Sequence, residues 1–577
     1  MAGQPKAPFY VVLAVVIAAL VAFAVYRFSS SPPEQAKQQG DPRAAPIQPE
    51  ELGVNPENPH SPSVTTVQEV VWVPQERLPE VKGTSAYQPL ENNTVRFALN
   101  VWAGWGPIIL ANEGFKPGKA WKTPDGQEFK VELVLMDDPI DMRNAYAAGQ
   151  IHIGWATLDM VPLFVDGFVK AGDTRVMPRI YQQIDWSNGG DGIVVRKEIK
   201  NVADLRGKKL VLAQNSPSHY FALNMLVFGG VQPGEVNMVF TKTAFQAARA
   251  FETQKDIAGA VSWAPDIYKL AEIPGNRMLV TTATANKLIA DVWFARADFA
   301  RDKPGIIEAL VRGIFDAMEE LKNPQRKQHC AKLMAEPYNV PEAEALKMFD
   351  DAHSTNWAEN YQFFMNQNNP TNFERIWKNA YFLYRRIGVI ENQPVPADQV
   401  MDFSVIKKLQ AEEKYASQKD EYQIRFTPET GDVAGPRGEQ IVTYTVRLHF
   451  FPNSWDLYKK ITKMVDGRHV EELYDPTVDA VLEDIAKHVG QFGAARIQLE
   501  GHTDSSMRGS VPEDLVKELS LNRANAVKEA LVRKYSFDPN QFIVRGFGWE
   551  RPADPDDPRN HPKNRRVEVH VLAPEAQ

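Results

Sequence analysis

Apolar side chains run unbroken from Phe9 to Tyr26, a stretch of 18 residues without a charge. As a helix it would be about 27 Å long, which matches the hydrocarbon core of a bilayer. Lys6 precedes it, Arg27 follows it, and Tyr10 and Tyr26 stand where interfacial anchors belong. The pattern predicts a transmembrane anchor over 9–28, with residues 1–8 on the cytoplasmic side. Ala22-Phe23-Ala24 resembles a signal-peptidase site and keeps a cleaved signal peptide as the rival reading. Periodicity then vanishes over 29–92, where eight prolines fall between Pro32 and Pro62. Such a segment buries too little apolar surface to order itself and reads as an extended spacer. Within it, the apolar patch Val70-Val71-Trp72-Val73 is expected to dock on the next domain.

From 93 to 412 short apolar runs alternate with helical patterns. Val95–Trp102, Lys130–Met136, Ile151–Trp155, Gly192–Val195 and Lys209–Ala213 read as strands, with helices after several of them. This alternation predicts an α/β fold with binding loops at the C-terminal ends of its strands, and its length predicts two lobes. Trp357 to Leu409 is helical and aromatic, and Phe363, Trp377, Tyr381 and Tyr384 fall at spacings that make a core stripe. A charged helix over Lys407–Gln423 and the Pro/Gly stretch Thr427–Glu439, in a linker bounded at 413–440, lead into the last domain, 441–573. There the strand Thr443–Phe451, the helix Val478–Val489, the strand Ala495–Glu500, the helix Leu519–Lys534 and the strands Val544–Gly548 and Val567–Leu572 predict an α+β unit of order βαβαββ.

Composition changes this picture little. The 577 residues exceed one core; 44% apolar and 24% charged are ordinary proportions, and a net charge of −8 with scattered Lys and Arg leaves no nucleic-acid footprint. The single cysteine, Cys330, excludes a disulfide framework and any multi-Cys metal site, and reads as a buried small residue. No catalytic set, metal-ligand spacing or Gly-rich phosphate loop emerges, so neither a cofactor nor a metal is expected, and the chain reads as a non-enzyme.

Four blocks carry a resemblance: Trp102-x-Gly104-Trp105-x-Pro107, Ala148-Gly149-Gln150-Ile151-His152-Ile153, Asp204 to Lys209, and Ala260 to Pro265. In this order they are similar to the periplasmic substrate-binding proteins of nitrate, sulfonate and taurine ABC transporters, which implies a type II periplasmic-binding-protein fold closing on a small molecule. His152 departs from the Asp common at its place in that family. Ligand candidates at strand ends are Trp102, Trp105, Asp159, Asp185, Trp186 and Ser216, together with Ser218, His219, Trp263, Asp266 and Asp291. The turn Asn215–His219 suits an anion, with plain N-capping by either serine as the bland reading. The tryptophans serve equally as packing, and His219 as a structural histidine. The expected solute is a small anion, although Asp185, Asp191, Asp266 and Asp291 leave a cation open.

Gly501-His502-Thr503-Asp504, Leu519 to Val527 with Arg523, and Asn564-Arg565-Arg566-Val567-Glu568-Val569 resemble the OmpA-like peptidoglycan-binding domain. That resemblance implies roles for Asp504 and Arg523 in gripping the diaminopimelate stem, whose zwitterionic end matches a carboxylate beside a guanidinium fork. Asn564 and Arg565 are further candidates, and Phe451 and Leu521 are expected to line the groove. The alternative is an Asp504–Arg523 salt bridge that only braces the loop. The polar insertion Lys459–Pro476 and a lengthened segment after Asp504 depart from the pattern. Together these readings describe a single-pass inner-membrane protein, its bulk in the periplasm at the cell wall. Its expected partners are peptidoglycan, a small-molecule solute and an ABC permease or sensor, and no nucleic acid. The rival is a structural docking protein whose binding fold has lost its ligand.

Overall fold

The computed structural model describes residues 70–73, 78–427, 440–451, 453–465 and 468–572. The expected membrane anchor, the residues before it and the spacer up to residue 69 lie outside the described residues. Among the described residues no helix is long and apolar enough to cross a membrane. All of them fall in the unit Ala44–Gln577.

Two sheets build the two lobes. The first has seven strands; at its centre Thr94–Leu99 runs parallel to Glu128–Leu135 and Ile153–Thr157, and Ala290–Arg296 pairs antiparallel with Ile153–Thr157 and Pro178–Ser187. The second has six, with Lys209–Ala213 parallel to Asn237–Thr241 and Gly259–Trp263, and Asp191–Arg196 antiparallel to Gly259–Trp263. The chain leaves the first sheet after Ser187, enters the second at Asp191, leaves it after Thr281 and re-enters the first at Ala290. Two crossings of this kind define a type II periplasmic-binding-protein fold. Trp72–Val73 adds an antiparallel edge strand beside Asn237–Thr241.

Residues 78–92, which composition places in the spacer, instead pack on the first lobe. The Ser85 carbonyl accepts from Arg296, and the Tyr87 N–H donates to Asp298 at 3.2 Å. Similarly, 413–427 is no free linker. The predicted helix Lys407–Gln423 is replaced by two short ones, Ser404–Leu409 and Glu413–Ala416, followed by an extended strap bonded to the Asn356 side chain through the Lys419 carbonyl. The aromatic stripe is a core: Phe373, Trp377 and Tyr381 are nearly or fully buried along the helix Phe373–Arg386.

The C-terminal domain is a four-stranded sheet in the order 440–446, 566–572, 497–502, 542–546, backed by the helices Val478–Gln491 and Glu513–Tyr535. Its first strand, Gln440–Val446, stops five residues short of the predicted end at Phe451, and the insertion folds as the exposed hairpin Lys460–Val465/Arg468–Leu473. The long helix begins at Glu513 rather than Leu519, which absorbs most of the lengthened segment. Gly501 and Gly546 allow this helix to lie on the sheet, because a Cβ on either would overlap the backbone of Lys517–Leu521.

This domain docks against the binding domain. Buried Phe228 stacks on His488, with centroids 4.8 Å apart, and on Phe492 at 5.3 Å. The Lys287 N–H, within the second interlobe crossing, donates to the Gln491 carbonyl at 3.1 Å. Arg375 faces Glu483 at 3.4 Å.

Candidate functional site

The crossings leave a narrow cleft between the lobes, with a cavity volume of about 50 Å³. Its walls are aromatic: Trp102, Trp155, Trp263 and Phe245. Three carboxylates line it, Asp137, Asp191 and Asp291, and one cation, Lys242. Lys242 lies 3.1 Å from Asp138 and 3.9 Å from Asp141.

Register explains how the acids gather. Asp291 stands opposite Asp185 on one neighbouring strand and Thr157 on the other, so the three side chains share one face at the cleft end of the sheet. The Asp185 carboxylate accepts from the Trp102 indole N–H at 3.0 Å, which fixes that ring. Asp191 accepts from the Ser187 hydroxyl at 2.7 Å. Burial lifts Asp159, Asp185 and Asp191 to about 7; burial and the adjoining Asp185 carry Asp291 well above the carboxylate range.

Of the residues expected from sequence, Trp102, Ser216, Trp263 and Asp291 reach the cleft. Asp159 and Asp185 stand close behind it. Trp105 is core: it is fully buried, and its indole donates to Asn100 at 2.7 Å. Ser216 does not cap its helix; its hydroxyl donates to the Ala213 carbonyl at 2.9 Å. Ser218, Trp186 and Asp266 are buried away from the cleft lining, and His219 is a structural histidine that accepts from the Asn215 N–H at 3.1 Å and faces Phe240 and Tyr384. His152 is structural as well, accepting from the Arg96 N–H at 2.9 Å and meeting the Gln88 carbonyl at 2.9 Å. The sequence reading missed Asn100, Asp137, Thr157 and Lys242, at or just beyond strand ends, together with Trp155 within the strand Ile153–Thr157 and Phe245 in the first turn of the helix Ala244–Thr253. The charged lining of the cleft is thus three carboxylates and one lysine, Lys242, which is already paired with Asp138.

In the C-terminal domain Asp504 is buried at the end of its strand and accepts from the Ser506 N–H at 2.7 Å. Its ion-pair partner is Arg565, not Arg523, so the bracing salt bridge expected as the alternative does not form. Arg523 donates to the Ser454 carbonyl at 3.0 Å and lies over the Phe450 ring at 4.9 Å. Burial, with Arg565 nearby, lowers it to about 10. Among the described residues no carboxylate comes within ion-pair distance of it. Phe450 thus takes the place expected of Phe451, which is part-exposed against Tyr474. Leu521 is half-buried where the helix crosses Gly546. Asn564 is corrected to a scaffold residue, since its carbonyl oxygen accepts from the Ala553 N–H and its amide donates to the Pro558 carbonyl.

On the other face of this sheet Glu500, Glu568 and His570 bring ligand atoms within 4.8 Å of one another, with His502 3.7 Å from Glu500. Arg551 and Arg566 already neutralise the two carboxylates at 3.3 and 2.6 Å, which makes the group a closed ion network. Burial opposes the Glu568 charge, but His570, Arg566 and His502 outweigh it and hold the group down at about 2; Glu500 is lowered likewise, and His570 is raised. The carboxylates therefore stabilise the fold above their unfolded range near 4.5 and lose that contribution as pH falls through the folded values. His570 contributes below about 6.5 and loses its share as pH rises. Denaturant titrations should show this domain losing stability steeply from about pH 4.5 downward, and Glu568→Gln should flatten that acid limb; an unchanged limb would refute the network.

Fold and cleft together define a two-lobed α/β domain with an interlobe cleft, followed by an α+β domain. Residues 126–327 match the family described as NMT1/THI5 like, and residues 471–566 match the OmpA family. The chain therefore joins a substrate-binding domain of the first kind to a C-terminal OmpA domain. The taurine-binding periplasmic protein of Escherichia coli strain K12 is 28% identical over 218 residues, 36% of this chain and 65% of that protein. Outer membrane protein Omp38 of Acinetobacter baumannii is 35% identical over 100 residues, 17% of this chain and 26% of its own length. The chain thus spans less than two thirds of either relative. Among solved structures, the periplasmic aliphatic sulphonate-binding protein SsuA from Escherichia coli aligns over 54% of this chain and 97% of its own, at 19% identity and a TM-score of 0.40.

Proposed function

We propose that the chain is a non-enzymatic solute-binding protein of the bacterial periplasm, tethered to the inner membrane by Phe9–Tyr26 and held non-covalently on peptidoglycan by its OmpA domain. In this reading it captures a small solute at a fixed height in the envelope, for delivery to an ABC permease or for sensing. The similar taurine-binding protein carries a small organic solute in its name. The observation that carries the reading is the interlobe cleft itself, walled by tryptophans at the crossings where lobe closure would bury a ligand. Asp504 and Arg523 are the proposed grip on the stem peptide: the ligand ammonium joins or displaces Arg565 at Asp504, and the ligand carboxylate takes the Arg523 fork.

Native mass spectrometry of the full chain after exposure to a bacterial metabolite extract should show one retained small molecule, and adding that molecule should raise the melting temperature. A chain that retains nothing would instead be the docking protein without a ligand.

A further inference from the structure

We infer that the interlobe cleft takes the cationic, ammonium-type head of a small organic solute, held by Asp137, Asp191 and Asp291 against the faces of Trp102, Trp155 and Trp263. This deepens the solute-binding reading above and rests on it. Both lobes contribute: Asp137 and Asp291 follow or belong to strands of the first sheet, and Asp191 opens a strand of the second. Closure of the lobes would therefore wrap the head in carboxylate and indole. A cation leaving water for such a site is compensated twice, by the carboxylates and by the negative ring faces.

The polar groups turned toward the cleft await a partner. Asp137 keeps one oxygen on the Val101 N–H at 2.7 Å and leaves Oδ2 without one. Thr157, buried and lining the cleft, has no hydrogen-bond partner of good geometry for its hydroxyl. Directly behind, Asp159 leaves Oδ1 without a partner of good geometry, and Asp185 faces the Asp291 carboxyl. Burial lifts Asp159, Asp185 and Asp191 to about 7, and a cation placed beside them would favour their charged forms.

Features that would favour an anion are already engaged at three of the helix starts beside the cleft. Asp138 caps Pro139–Ala147, Thr243 caps Ala244–Thr253, and the third begins with Pro217, which has no N–H to offer. The His219 and Tyr220 N–H groups behind it bond the Ser216 carbonyl. An anion would meet Asp191 and Asp291 with only Lys242 to offset them, and Lys242 is held by Asp138.

The test is calorimetric titration of the full chain with tetramethylammonium, propylammonium and, as a size-matched anion, ethanesulfonate. An ammonium probe should bind at least tenfold more tightly than ethanesulfonate. Asp291→Asn mimics the protonated acid, so it should spare the fold yet weaken the ammonium probe at least tenfold. Should it fail to fold, Asp137→Asn, which keeps the bond to Val101, makes the same measurement. Preferred binding of ethanesulfonate, or unchanged ammonium affinity in the folded variant, overturns the inference. If no probe binds but the metabolite extract leaves an anionic or neutral molecule on the protein, the inference alone falls. If nothing is retained, the solute-binding reading falls with it.

Discussion

Arg523→Ala and Asp504→Ala are each expected to cut retention of the full chain on purified sacculi by about 10- to 100-fold. The magnitude follows from charge: a hydrogen bond to an ionised partner contributes about 1.5–3 kcal/mol, and each 1.4 kcal/mol is a factor of ten. Arg523 is the more telling of the two. It is largely buried, lies over Phe450, is lowered to about 10 and has no carboxylate among the described residues within ion-pair distance. A guanidinium held in that condition is prepared for an incoming carboxylate. Arg523→Lys separates the fork from the charge, because an ammonium gives one point contact where a guanidinium gives two. It should fall between wild type and Arg523→Ala. The unfolding midpoint of each variant is measured beside the pull-down. Wild-type retention by a folded Arg523→Ala would remove this groove as the wall contact.

Much of this groove was legible in the sequence, because its motifs are local: Gly501 to Asp504 ends a strand, and Arg523 sits on the helix that Gly501 and Gly546 admit. What failed was parity and competition. Alternation carried the first strand to Phe451, whereas pairing with Arg566–Leu572 ends at Val446, and beyond that point the period-2 rule no longer decides which aromatic meets Arg523. Asn564 looked available because its motif is polar, yet loop carbonyls and N–H groups take both ends of its amide.

The cleft was less legible for a different reason. Asp185, Asp291 and Thr157 become neighbours through strand register across more than a hundred residues, with the chain passing through the second lobe in between. No local pattern announces that. Read singly, the serines at the start of Pro217–Phe228 suggested an anion; read together, the acids at the sheet's end are what the inferred preference for a cation rests on. The docking of Lys287 and Phe228 on the OmpA domain has the same origin. It places one interlobe crossing against the C-terminal domain, so the two halves of the proposed function share a surface that neither motif set reveals.

Arg296→Ala should destabilise the binding domain by about 3–5 kcal/mol, the cost of removing one partner of a buried ion pair. Arg296 is fully buried and makes a fork to Asp298, with Nε at 3.0 Å and Nη2 at 2.9 Å. Its remaining N–H groups reach the carbonyls of Tyr146 and Ala147, at the C-terminal end of a helix where a cation is favoured, and the Ser85 carbonyl. Truncation leaves the Asp298 carboxylate without its counter-charge, held only by the Tyr87 and Phe299 N–H groups, and takes the Arg296 donor from the Ser85 carbonyl. It also frees residues 78–92, which Ser85 and Tyr87 hold to the lobe, so limited proteolysis should open a new cleavage site there. The double variant Arg296→Met/Asp298→Leu removes both charges and should cost less than Arg296→Ala alone, since the penalty lies in the orphaned carboxylate rather than in a lost attraction. Denaturant unfolding of the full chain, following the binding-domain transition, compares the two. A double variant as unstable as the single would mean that the carbonyl contacts, not the charge pair, hold this corner of the fold.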